Sequence, residues 1–175
     1  MQIVRYFISL VFVNVYRLLR IFPNNDPIMG MMMPYARQDS GSSAAVFAFL
    51  AMVSFDVISG AVGYWTVITA LVYAGLGFWF HERFKKMKTV GVKDYFINGV
   101  YGVLIFDVIT GPIMTGLMWT GDVVAATIGQ VPFTIYHLIS VGFFSIFLSP
   151  VLDAYLVNNK ALADDRLLGK AAAKA

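Results

Sequence analysis

Two aspartates occupy equivalent positions in a hexapeptide that occurs twice in the chain. Residues 55–60 read Phe-Asp-Val-Ile-Ser-Gly and residues 106–111 read Phe-Asp-Val-Ile-Thr-Gly, which gives Asp56 and Asp107 matching apolar surroundings. A carboxylate in an apolar stretch is costly unless a cation, a backbone N–H group or a hydroxyl group stabilises it. The two aspartates are therefore the first candidates for functional side chains.

Two interpretations of these aspartates are open from the sequence. In the first, each carboxylate fixes its own outer loop by accepting hydrogen bonds from residues 59–63 or 111–115. In the second, the carboxylates bind a ligand or pair with Arg17 or Arg20, and so shape a binding site. Each copy ends in a glycine, which predicts that each copy ends a helix near the outer membrane boundary.

Other polar side chains interrupt apolar stretches of the chain. Arg, Asp, Asn and aromatic side chains together suit a small, flat, polar metabolite. The predicted ligand-binding residues are Asn14, Arg17, Asn25, Asp56, Trp65, Asp107, Gln130 and His137. No catalytic residue and no metal ligand is predicted, because the Met-rich run at 29–33 lacks the His or Cys cluster of a soft-metal site.

The composition indicates that these residues belong to an integral membrane protein. Of the 175 residues, 59% are hydrophobic and 13% are charged, and the mean hydropathy is +0.73. Soluble domains carry about a quarter charged residues. The sequence contains no cysteine, which excludes disulfides and thiol catalysis. The net charge of +3 favours a membrane-orientation signal over nucleic-acid binding.

Apolar runs and helix breakers predict an all-α, six-helix transmembrane bundle over residues 1–157 and a polar cytoplasmic tail over residues 158–175. The run Thr110-Gly111-Pro112 is predicted to end the fifth helix. Pro132 is predicted to separate a short apolar segment from the sixth helix. The predicted helices cover residues 3–22, 28–36, 43–58, 65–80, 95–109 and 133–156.

Lysine and arginine residues set the expected orientation. The loop after the fourth helix is the most basic, and the tail is also basic, so both are predicted to be cytoplasmic. We therefore expect a multi-pass plasma-membrane protein with both termini inside. Asp26 and Asp122 are the only charged residues in the predicted outer connections. Arg17 and Arg20 lie near the outer boundary, which predicts either snorkelling to lipid headgroups or a role in the site.

In layout the chain resembles the substrate-binding S-components of energy-coupling factor vitamin transporters. The resemblance spans residues 15–155. It rests on the end of the first helix from Arg20 to Pro27, the short Met-rich second helix, and the run from Phe47 to Asp56 with the Gly-Tyr-Trp-Thr that follows it. The second aspartate element, with its Gly-Pro pair, and the short connection before the last helix also match.

The resemblance implies a six-helix protein that captures a vitamin or related metabolite at the outer face and topples in the membrane to release it inside. It also implies a transmembrane coupling subunit and two cytoplasmic ATPases as partners. The first helix lacks the Ala-x-x-x-Ala docking motif that many such proteins carry. Small residues lie instead on the third helix, at Ala44, Ala48 and Ala51.

Two other functions fit parts of the pattern. In a non-transporting membrane scaffold, which is the main alternative, the aspartates would only fix loops. An intramembrane aspartyl protease would use two carboxylates that share a proton, but the Gly-x-Gly-Asp signature of that family is missing. No enzymatic activity and no cofactor are therefore predicted.

Overall fold

The apolar runs form helices throughout the part of the chain that the structure describes. The computed structural model describes residues 3–21 and 24–158, and no strand occurs among them. This confirms the predicted all-helical fold, while the predicted tail lies outside the described residues from 159 onward. The helices are α1 (Ile3–Leu18), α2 (Ile28–Gln38), α3 (Gly41–Ser59), α4 (Tyr64–Lys85), α5 (Val92–Thr120) and α6 (Val123–Val157).

The short helix α2 lies at the centre of the bundle and contacts α3, α4, α5 and α6. Every residue from Ile28 to Ala36 is buried, as expected for a helix that is apolar on all sides. At about 16 Å, α2 is too short to cross a hydrocarbon core of about 30 Å. Pro34 cannot donate to the Gly30 carbonyl, and the Ser149 hydroxyl donates to that carbonyl instead, at 2.6 Å.

Helices α3 and α4 pack against each other at very close range. A Cβ atom placed on Gly77 would lie 2.6 Å from the backbone nitrogen of Ala45, so only glycine fits there. Helix α3 begins after Ser40, whose side chain accepts a hydrogen bond from the Ser43 amide. It ends at Gly60, which has a φ of +69°. The helix end predicted at this glycine is therefore correct.

Helix α5 does not end at the Thr110-Gly111-Pro112 run, as the sequence predicted, but continues to Thr120. From Ile109 onward it is wound in the wider π geometry. The Thr115 hydroxyl donates to the Thr110 carbonyl at 3.0 Å, and the Thr120 hydroxyl donates to the Thr115 carbonyl at 3.2 Å. These hydroxyl groups add hydrogen bonds to backbone carbonyls within the π-wound segment.

Helix α6 is not interrupted at Pro132, where the sequence predicted a break, but runs from Val123 as one helix. A proline is tolerated inside a helix when neighbouring elements support it. The correction changes the depth of two candidate residues. Asp107 and His137 were predicted near the outer helix ends, and the structure places both close to the midpoints of α5 and α6.

Within the described residues, three helices are long and apolar enough to cross a membrane: α3, α5 and α6. Large apolar side chains are exposed on their outer faces, among them Leu50, Leu104, Ile139 and Phe147. Exposed apolar surface of this extent is typical of a protein whose solvent is lipid. The structure thus agrees with the membrane protein that the composition predicted.

Candidate functional site

Hydrogen bonds join four side chains in the middle of the bundle, each at most 5% exposed. The His137 ring lies between two carboxylates. Its Nδ1 is 2.8 Å from Asp107 Oδ1, and its Nε2 is 3.3 Å from Asp26 Oδ2. The Tyr73 hydroxyl donates to the same Asp26 oxygen. Because both ring nitrogens face carboxylate oxygens, an imidazole with two protons satisfies both contacts when the two carboxylates are ionised. We call Asp26, His137 and Asp107 the carboxylate–imidazole bridge.

Asp26 reaches the bridge because the connection between α1 and α2 enters the bundle. Its Oδ1 accepts a hydrogen bond from the Ile28 amide at 2.8 Å, at the start of α2. Its own amide donates to the Ser140 hydroxyl oxygen at 2.9 Å. That hydroxyl donates in turn to Asn25 Oδ1 at 3.2 Å. A carboxylate held by this many donors is ionised and fixed in one orientation.

A cavity of about 520 Å³ lies beside the bridge, in the size range of sites for small ligands. We call it the central cavity. Its apolar lining residues are Met52, Phe55, Phe106, Met114 and Phe133. Its polar lining residues are Arg17, Arg20, Asn24, Asn25, Asp26, Thr69, Tyr73, Thr110, Thr115, Gln130 and His137. Side chains from α1, α3, α4, α5 and α6, together with the α1–α2 connection, therefore converge on one space.

Two arginines face this cavity. The guanidinium carbon of Arg17 lies 3.8 Å from the centre of the Phe55 ring, and its Nη1 lies 3.5 Å from the Met52 sulfur. A cation over an aromatic face is stabilised without a counter-ion. Among the described residues, the ion pairs include no carboxylate partner for Arg17 or Arg20. Both positive charges therefore remain available to a ligand.

Four of the eight predicted binding residues line the central cavity, namely Arg17, Asn25, Gln130 and His137. Asp107 does not line it. Its Oδ1 contacts His137, and its Oδ2 is buried without a hydrogen-bond partner among the described residues. Asp107 therefore influences the cavity through the orientation and charge of the imidazole.

Two other predicted residues make contacts away from the cavity. The Asn14 side chain donates to the Leu10 carbonyl at 2.8 Å and to the Ser54 hydroxyl at 3.0 Å, between α1 and α3. The Trp65 indole donates to the Ala61 carbonyl at 3.0 Å and is 41% exposed. In this structure both side chains stabilise helix packing and a connection, and neither lines the cavity.

Asp56 fixes the connection between α3 and α4. The Thr66 hydroxyl donates to Asp56 Oδ2 at 2.5 Å and accepts a hydrogen bond from the Gly63 amide at 3.1 Å. Asp56 thus holds its connection through Thr66, whereas the loop-fixing interpretation placed the donors at residues 59–63. Asp107, the equivalent residue of the second hexapeptide, pairs with His137 instead. The two copies therefore differ in their contacts because only the first copy ends its helix.

We expect Thr66→Val to lower the free energy of unfolding by about 2 kcal/mol, because it leaves a buried carboxylate oxygen without its donor. Valine keeps the shape of threonine, so packing is preserved. Thermal unfolding of the purified protein in detergent measures the change. Thr127→Val is the matched control, since Thr127 is exposed and donates only to its own helix, and its effect should stay within about 0.5 kcal/mol. Equal effects of the two changes would contradict the assigned role of Asp56.

Three residues of the hydrogen-bond network at the bridge were not predicted from the sequence: Asp26, Tyr73 and Ser140. Asp26 was assigned to an outer loop because prolines flank it. One available signal was the helix that follows, since α2 is apolar on all sides and must be buried. A connection that leads into such a helix is drawn into the bundle with it.

Among the described residues, no group of three His, Cys, Asp or Glu side chains is arranged to hold a metal ion. No family model, curated protein or solved structure matches the chain. The function is therefore argued from the chemistry of the site.

Proposed function

We propose that this protein is the membrane-embedded substrate-binding subunit of a transporter. It captures a small, polar, vitamin-like metabolite in the central cavity, and partner subunits use ATP to drive uptake. One observation carries the proposal: a cavity of about 520 Å³ with a buried ionised bridge in its wall. Ionisable groups at mid-bundle depth are costly, and in membrane proteins they mark ligand or ion sites.

In the plasma membrane, α1, α3, α4, α5 and α6 would each cross the bilayer. The short α2 and the connection before it would together return the chain to the cytoplasmic side, so both termini would lie on that side. The basic connection between α4 and α5 supports this orientation. The central cavity is lined by the ends of α1 and α3 and the first half of α4, which lie at the opposite end of the bundle. The cavity then faces outward, where a solute is captured.

The proposed partners are a transmembrane coupling subunit and two cytoplasmic ATPases, since the chain has no nucleotide-binding motif. The small residues of α3 do not supply the docking face. Ala44, Ala48 and Ala51 are fully buried within the described bundle. The partner would therefore dock on another surface, and the exposed apolar face of α1, with Phe7 and Val11, supports that choice.

Native mass spectrometry of the full chain in neutral-lipid nanodiscs, after incubation with a metabolite extract, tests the proposal. We expect a bound water-soluble metabolite that saturates with concentration. Met114→Trp fills the cavity and should weaken its binding by about tenfold or more, since bulk there excludes the ligand. Ile113→Trp is the matched control because Ile113 occupies the adjacent position on the same helix and is exposed.

Two outcomes count against this function. The first is the absence of any saturable solute, which favours the membrane scaffold instead. The second is a solute whose affinity is the same in Met114→Trp as in the unmodified protein, which places binding outside the central cavity. Retention of the unmodified unfolding temperature by Met114→Trp separates loss of binding from loss of fold.

A further inference from the structure

We propose that the ligand of the central cavity is an anion, held through a carboxylate or phosphate group by Arg17 and Arg20 and through neutral acceptor atoms by Asn25 and Gln130. This inference rests on the proposed function and adds the chemical class of the ligand. It follows from the charges and the unused hydrogen-bond donors of the cavity wall.

The charges of the wall are unbalanced. His137 is shared between Asp26 and Asp107, and this bridge uses both carboxylates. Arg17 and Arg20 line the same cavity without a carboxylate partner among the described residues. The wall and the bridge thus hold three cations against two carboxylates. An anionic ligand balances this excess, whereas a cationic ligand would add to it.

Two amide groups of the wall are unused donors. Asn25 Nδ2 and Gln130 Nε2 are buried, and neither has a hydrogen-bond partner among the described residues. The orientation of Asn25 is fixed, because the Ser140 hydroxyl donates to its Oδ1 and accepts the Asp26 amide hydrogen. Its nitrogen is therefore left as a donor. A buried donor without an acceptor is costly, and a ligand rich in acceptor atoms removes that cost.

The one carboxylate of the wall, Asp26, is already occupied as an acceptor. The oxygens of Asp26 accept hydrogen bonds from the Ile28 amide, from Tyr73 and from His137. The remaining wall is apolar, with Phe106 and Phe133 among its members. The ligand that fits has an anionic oxygen group near the arginines, neutral acceptors near the amides, and an apolar body.

Such an anionic group has two sources, a soluble organic acid or phosphate and the headgroup of an anionic lipid. Asn25 lies between the central cavity and a second, apolar groove of about 330 Å³. Tyr136, Ile139 and Phe143 line that groove, which has room for part of an acyl chain. The chemistry recognised by the arginines is the same in both cases, and experiment separates the sources.

Matched acids and amides test the charge of the ligand. The probes are benzoate with benzamide and nicotinate with nicotinamide, together with inorganic phosphate, added to the full chain in phosphatidylcholine nanodiscs. We expect one or more of the anions to raise the unfolding temperature, while the amides do not. A second arm adds phosphatidylglycerol to the nanodiscs and counts bound lipid by native mass spectrometry. Binding of that lipid alone identifies a headgroup as the source of the anion.

Two variants locate the anion. Arg17→Gln should weaken anion binding by about tenfold or more, as expected for loss of a charge-assisted hydrogen bond. Asn25→Asp changes the shape of the side chain very little and keeps the oxygen that accepts from Ser140. It replaces an amide donor with a negative charge, so it should weaken anion binding by a similar factor. Lys86→Gln is the control, since it removes one positive charge from an exposed position at the other end of the bundle.

Three results would overturn the inference: equal binding of acids and amides, unchanged anion binding in both Arg17→Gln and Asn25→Asp, or no binding of any anion in either arm. These results are distinguishable from failure of the proposed function. A neutral or cationic metabolite that binds the unmodified protein but not Met114→Trp supports solute capture and contradicts only the anionic class.

Discussion

Replacement of His137 by leucine is expected to lower the free energy of unfolding by about 3–5 kcal/mol. The imidazole is the only group that contacts both Asp26 and Asp107 among the described hydrogen bonds. Without it, two carboxylates remain buried close to each other, and an uncompensated buried charge is strongly destabilising. Equilibrium unfolding in mixed micelles, or thermal unfolding in one detergent, measures the loss.

A compensating change distinguishes lost charge balance from lost packing. Changing Asp26 and Asp107 to Asn in the His137→Leu background should recover much of the stability, because the amides leave no buried charge behind. His81→Leu is the matched control. His81 contacts only the Ala36 carbonyl, at 2.7 Å, among the described hydrogen bonds, and its loss should be near 1 kcal/mol. Equal losses from the two histidine changes, with no recovery in the triple variant, would show that the bridge is not ionic.

The second large effect is expected at Gly77, where Gly77→Val should lower the free energy of unfolding by about 3 kcal/mol. A Cβ atom there would lie 2.6 Å from the Ala45 nitrogen and 2.9 Å from the Ala44 carbonyl carbon. Both are backbone atoms, so no side-chain rotation relieves the contact. Helices α3 and α4 would have to separate, and overpacking of this kind typically costs about 1–3 kcal/mol or more. Thermal unfolding in detergent gives the change.

Gly75→Ala is the matched control for the α3–α4 interface. Gly75 lies on the same helix, and nothing lies within 4 Å of a Cβ atom placed there. Alanine is favoured over glycine in a helix by about 1 kcal/mol, so this change should leave stability unchanged or raise it. If Gly77→Val and Gly75→Ala behaved alike, the close approach of α3 and α4 would not exist in the folded protein.

Local sequence signals identified most helices because apolar runs and breakers act locally. The end of α3 is an example, since Gly60 adopts a positive φ that a glycine supports. The same rules were wrong at Pro112 and Pro132. In both places tertiary packing keeps the helix intact, and Gly111 lies directly against Gln130 of α6. The expectation that proline ends a helix applies to an isolated helix, whereas packing against a neighbouring helix can keep the chain helical.

The residues that line the central cavity were only partly predicted from the sequence. Arg17, Asn25, Gln130 and His137 were identified as polar interruptions of apolar runs, and all four line the central cavity. The pairing of His137 with Asp26 was missed because it joins residues 111 positions apart. No local pattern reports such a contact. The repeated hexapeptide also suggested equal roles for the two aspartates. Their partners differ, because α3 ends directly after the first copy whereas α5 continues beyond the second.

The central position of α2 has a consequence for the order in which the protein assembles. Helix α2 is too short to be inserted into a bilayer as an independent span. Asp26, just before it, forms hydrogen bonds with His137 and Ser140, which are synthesised far later. The early part of the chain therefore leaves the ribosome without the partners that complete it. The contacts between α2 and α6 can form only after the last helix has been made, so the packing around α2 is completed late in assembly.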